Sequence, residues 1–166
     1  MKKRGVVVAP ILLLGLICAI EVTEAADVDP ALKIVTEAST QVVTQSQLAG
    51  RLSPAEITVY SPVYQSQMTY QGFWLEQILQ TLRIHPAEQD IVFVSADGYE
   101  TSMPVGDIGK EKWLVAFGEP RGWTPLPERH QLTTPGPWYV VGREASSYQE
   151  FPWPYQVTAI KIQGQE

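Results

Sequence analysis

Residues 70–104, YQGFWLEQILQTLRIHPAEQDIVFVSADGYETSMP, hold in order a helix, a buried strand and a hairpin turn, and they decide the fold class. Trp74, Leu75, Ile78, Leu79 and Leu82 recur at the i, i+1, i+4, i+5, i+8 spacing of one helix face. Pro86 lacks a backbone N–H and is expected to close that helix. Residues 90–95 (DIVFVS) are short, apolar and β-branched, the pattern of a fully buried strand. Asp97-Gly98 then offers turn chemistry, so residues 100–104 are expected to return as the second strand of a hairpin.

Outward from this stretch the pattern stays one of short strands. Upstream, Lys33 to Val35 reads as a short strand, and residues 44–52 as a short helix or turn with Leu48 and Leu52 inward, stopped by Ser53-Pro54. Residues 57–60 (ITVY) alternate and are β-branched, Pro62 interrupts them, and residues 67–70 resume the extended form. Downstream, residues 106–109 begin a short helical or turn segment and residues 113–117 (WLVAF) are a second buried strand. Residues 118–137 hold five prolines and three glycines, a density that marks a functional loop or a stiff surface strap. Residues 138–141 and 156–162 read as the last strands, bracketing YQEFPWPY at 148–155. Short strands with one clear helix make an α+β fold.

The chain of 166 residues is long enough for one ordinary domain. A hydrophobic share of 45% against 18% charged is that of a globular protein. The formal charge of -6 argues against a nucleic-acid partner, because an acidic surface repels phosphates. Lys2, Lys3 and Arg4, the apolar run from Val6 to Ile20 and the small residues Thr23 and Ala25 follow the order of a secretory signal peptide cleaved after Ala25. Three regions are therefore expected: 1–25 as signal peptide, 26–44 as an N-terminal lead-in, and 45–166 as the domain. Cleavage removes three basic and two acidic residues, leaving nine against sixteen, a charge of -7. It also removes Cys18, the single cysteine, so the mature chain would carry no thiolate. The expected location is periplasmic or otherwise secreted, with membrane contact only through an uncleaved signal segment.

The residues suggest no catalytic group. His85 and His130 stand far apart, neither with a second histidine at zinc-ligand spacing. His85 is expected at the helix end, near its C-terminal carbonyls. No nucleophile elbow, phosphate-binding glycine loop or EF-hand carboxylate run is present. Aromatic residues are the remaining signal. Trp123, Trp138, Trp153, Tyr148 and Tyr155 fall in the loop-rich last third, where rings either stack on a flat ligand or cover the edge of the core. Arg121, Arg129 and Arg143 could receive an anion, or pair with their neighbours Glu119, Glu128 and Glu144.

The ordered segments also resemble a known family. Tyr70-Gln-Gly72-Phe-Trp-Leu75-Glu-Gln-Ile-Leu79 is similar to the aromatic-x-Gly-x-x-Leu-x-x-Leu-Leu element of the sulfite oxidase-like molybdopterin-binding domain. The strand and Asp97-Gly98-Tyr99 turn leading to Ser102-Met-Pro104 resemble its hairpin. Residues 108–116 are similar to its next helix and strand, and Gly136-Pro137-Trp138 and residues 157–162 resemble its closing strands. The resemblance implies a single compact sulfite oxidase-like α+β domain of mixed short strands and few helices. In enzymes of the family a cysteine thiolate binds molybdenum, and basic and polar loop residues hold the pterin phosphate. The cysteine's counterpart falls at Tyr60 to Pro62, where no cysteine stands.

The expectation is an exported binding or accessory protein with a molybdopterin-oxidoreductase-like fold, without molybdenum catalysis, no cofactor required, its partner an unknown small ligand or a periplasmic redox protein. Two alternatives remain. One is a small molybdopterin-dependent oxidoreductase using an oxygen ligand from Tyr60 or Ser61; the other is an aromatic-lined small-molecule or peptide-binding module. The pocket is expected between the Tyr60, Ser61 and Tyr64 segment, the Asp97 and Tyr99 turn, and the loop of Arg121, Trp123 and His130. Arg143 and Trp153 complete the candidate set.

Overall fold

A computed structural model describes residues 29–86, 89–109, 111–127 and 134–164. The expected signal peptide and His130 lie outside the described residues. Alternation places Leu32 and Ile34 inward on β1 (Ala31–Val35), which turns back antiparallel into β2 (Thr40–Thr44). Thr44 then caps α1 (Gln45–Ala49): its hydroxyl accepts from the Gln47 N–H while the Gln47 side chain accepts from the Thr44 N–H. Leu48 is the residue this short helix buries. Next come β3 (Ala55–Ser61) and β4 (Ser66–Trp74), an antiparallel hairpin, and α2 (Leu75–Thr81). β5 (Gln89–Ser95) and β6 (Glu100–Pro104) form the expected hairpin around Gly98, whose φ is 83°. A single 3-10 turn over Val105–Asp107 leads to β7 (Trp113–Gly118). β8 (Tyr139–Gly142), α3 (Ser147–Glu150) and β9 (Val157–Gly164) close the fold.

The strands make two sheets. One has the order β2-β1-β9-β5-β6, with β1 and β9 parallel; the other has the order β3-β4-β7-β8 and is antiparallel throughout. The stretch expected as a lead-in before residue 45 thus supplies two strands of the first sheet. A single hydrophobic core draws on both sheets and on α2, which buries Leu75, Ile78 and Leu79. Phe151, just past α3, bridges them, with its ring 5.6 Å from Phe93 of β5 and 5.1 Å from Trp113 of β7.

Two local expectations are corrected. Trp74 belongs to the end of β4 rather than to the helix, and the helix stops well before Pro86. Ile84 N–H donates to the Leu79 carbonyl and Arg83 N–H to that of Gln80, a Schellman stop with Arg83 at a φ of 59°. His85 is consequently exposed in the following loop and does not serve the helix end. α3, in the aromatic stretch expected only to separate strands, was not legible because it is a single turn with no apolar period.

Candidate functional site

The turn between β3 and β4 and the loop after β7 are tied together by a polar clamp. Glu119 follows β7, and its Oε2 accepts from both the backbone N–H and the hydroxyl of Thr124. Gly122, at a φ of 84°, lets that loop fold back on itself. The Thr124 carbonyl in turn accepts from the Tyr64 hydroxyl at 2.7 Å. Beside this clamp lies a cleft of about 260 Å³. Pro62, Val63 and Gln65 of the β3–β4 turn form one wall, and Tyr148, Trp153 and Tyr155 contribute the rings. Leu126 and Pro127 complete a lining that carries no charged side chain among the described residues. Trp153 is held from behind, with its Nε1 donating to the buried Ser147 hydroxyl at 3.2 Å and its ring edge-on to Tyr148 at 5.8 Å. Two non-glycine residues, Gln65 and Gln156, have a φ of 50° close to this cleft.

Beneath the clamp the environment is buried and phenolic. Tyr70 of β4 and Tyr139 of β8 meet edge to face at 5.6 Å, and Tyr139 lies 6.3 Å from Trp153. Burial, then the Glu119 charge, pushes the Tyr64 phenol up to about 12. Burial raises Tyr70 further, offset in part by the nearby Ser61 hydroxyl, although the two do not reach hydrogen-bonding geometry. Tyr139 is raised well above the usual value, first by burial and then by the surrounding phenols and Glu119. All three remain neutral over the physiological range.

The expected site residues divide between several places. Ser61 and Tyr64 come together with Tyr70, whereas Tyr60 points outward from β3 and is 45% exposed. Trp153 lines the cleft. Trp123 packs instead against Gly136 and, at 6.5 Å, against Tyr139. Asp97 and Tyr99 belong to the β5–β6 hairpin of the other sheet, where the Asp97 carboxylate accepts from the Tyr99 N–H at 3.0 Å; neither lines the cleft. Arg121 is exposed and outside it. Arg143 pairs with Glu111 at 3.1 Å, lies over the Trp74 ring, and edges a second, larger depression of about 480 Å³. That depression is walled by paired opposite charges near the surface, so it is the weaker candidate for a built site. Sequence reading missed Gln65, Glu119 and Tyr139; Glu119 was read only as a partner for arginine. Among the described residues no group of His, Cys, Asp and Glu could hold a metal ion by itself, and no helix is long and apolar enough to cross a membrane.

The arrangement defines a two-sheet α+β domain with an aromatic cleft beside the β3–β4 turn. The sulfane dehydrogenase SoxCD from Paracoccus pantotrophus, known from a crystal structure, is similar over 82% of this chain, with a TM-score of 0.57 and 16% sequence identity. This chain spans 38% of that chain. At this identity the likeness is one of fold, a distant one to an oxidoreductase. No protein-family model and no curated protein matches the sequence.

Proposed function

We propose that the protein is an exported binding module that uses an oxidoreductase-like fold, of the sulfite oxidase-like molybdopterin-binding kind, to hold an uncharged ligand of one or two rings. The observation that carries this reading is the cleft lining: three aromatic rings, two prolines, two aliphatic side chains and one glutamine, with no charged side chain among the described residues. Rings on such walls stack against a flat or ring-shaped face, and a lone amide fixes orientation. A volume of about 260 Å³, near the lower end of small-molecule sites, suits one or two rings. Export is supported by the order of charge, apolar run and small residues over residues 1–25. A redox protein of the same compartment is the partner the fold likeness suggests.

The donor chemistry does not fit a molybdenum cofactor. The stretch where the family resemblance puts the metal thiolate, Tyr60 to Pro62, holds no cysteine, and the ionic group that acts on Tyr70 beside Ser61 is the carboxylate of Glu119. A pterin phosphate calls for cations, and no described residue lining the cleft supplies one. No reaction step is therefore derived through that group. The test is titration of the purified mature protein with a panel of neutral ring compounds, followed by tryptophan fluorescence, alongside molybdenum and pterin analysis. Binding is expected, and Tyr148→Ala should weaken it by about 2 kcal/mol, roughly thirtyfold. Unchanged affinity in that variant would remove the cleft from the reading. Molybdenum and pterin near one per folded chain would overturn it in favour of the oxygen-ligated enzyme.

A further inference from the structure

Four oxygen-bearing side chains from the β3-β4-β7-β8 sheet and its edges are neighbours: the Tyr70 and Tyr139 rings meet at 5.6 Å, the Ser61 hydroxyl is near Tyr70, and the Glu119 charge acts on both phenols. Ser61 ends β3, Tyr70 lies in β4, Glu119 directly follows β7 and Tyr139 opens β8. Ser61 and Tyr70 are wholly buried, and Tyr139 is 1% exposed. Tyr70 Oη, Tyr139 Oη and Glu119 Oε1, and with them the Trp138 Nε1 donor, are shut off from solvent and have no hydrogen-bond partner among the described residues. The other carboxylate oxygen is fully engaged by Thr124, which fixes the direction of Glu119. A buried polar atom without a partner is a costly arrangement, and a carboxylate oxygen costs more than a hydroxyl. The three oxygens among them, from β4, from β8 and from the residue after β7, point to a common guest.

We propose that Ser61, Tyr70, Glu119 and Tyr139 bind a monovalent, oxygen-seeking cation: sodium, potassium or ammonium. The donor set is all oxygen, with one carboxylate charge and three neutral hydroxyls. Divalent calcium and magnesium favour sites with more carboxylate or phosphate, and soft metals favour thiolate or imidazole. Because the phenols hold their protons, their lone pairs stay available without adding charge. The site is separate from the ring-ligand cleft, whose lining includes none of these four residues, so the two readings stand or fall independently.

The test is thermal unfolding of the purified protein in sodium, potassium, ammonium and tetramethylammonium chlorides at equal ionic strength. At least one small cation is expected to raise the Tm above the tetramethylammonium value, saturably and by roughly 3–8 °C. Glu119→Gln keeps the side-chain shape and should abolish that rise. Tyr139→Phe, the gentler variant if Glu119→Gln does not fold, should weaken the apparent cation affinity at least threefold. Equal Tm values in all four salts would overturn the proposal and leave ordered water as the guest. A rise that persists in Glu119→Gln, or an affinity unchanged in Tyr139→Phe, would overturn it by placing the cation elsewhere.

Discussion

Gly72 stands where β4 shifts register against β7, and a Cβ there would lie 2.4 Å from the Val115 carbonyl oxygen. The neighbouring atoms are backbone and cannot swing aside, so the close approach of the two strands requires glycine. Gly72→Ala is expected to lower stability by about 2–3 kcal/mol, read as a fall in the urea midpoint with the slope unchanged. The glycine of the aromatic-x-Gly pattern in the sequence therefore has a packing cause. At the same scale, Tyr70 two residues earlier was legible as an apolar strand residue, while its unpartnered hydroxyl was not. What surrounds a hydroxyl comes from strands distant in sequence, and here Tyr139 of β8 and Glu119 after β7 stand near it without bonding it.

Elements were easier to find than to bound. Residues 57–60, 90–95 and 113–117 declared themselves as strands because side-chain burial follows the pleat or fills both faces. The end of α2 was misplaced because proline is a visible stop, whereas a Schellman turn at Arg83 leaves no composition signal. Arg83 is in the left-handed region, which costs a residue with a Cβ. Arg83→Gly is expected to raise stability by about 0.5–1 kcal/mol, measured by denaturant unfolding. No change would mean that the arginine side chain offsets its own backbone strain. The lead-in strands illustrate the opposite difficulty. Val42 is 55% exposed at the sheet edge, and a five-residue strand with polar neighbours gives a weak period, yet Leu32 and Ile34 are fully buried in the core once β1 pairs with β9.

For the whole molecule, the buried phenols tie stability to pH. Tyr64, Tyr70 and Tyr139 have raised values in the folded state, against an ordinary value near 10 in the unfolded chain. Below pH 10 both states keep these protons, so the contribution is fully present. Above it the unfolded chain releases them first, and stability falls as pH rises through about 12, the Tyr64 value, and on toward those of Tyr70 and Tyr139. Thermal unfolding followed between neutral pH and pH 12 should show this decline, with tyrosinate absorbance appearing together with unfolding. Early tyrosinate in a still-folded protein would show the phenols to be accessible.

The sequence by itself determined the α+β class, the order of the principal strands, the α2 face and the β5–β6 turn, because local periodicity and turn chemistry carry those. It also singled out the aromatic last third, where Trp153 lines the cleft while Trp138 is buried in the core and Trp123 packs against Tyr139. Only the tertiary structure decided which of the candidates meet. It parted Asp97 and Tyr99 from Tyr64 by placing them on different sheets, turned Tyr60 outward, paired Arg143 with Glu111, and tied Glu119 to Tyr64 through Thr124. These are facts of strand order and loop return, set by contacts between segments far apart along the chain, and no local pattern encodes them.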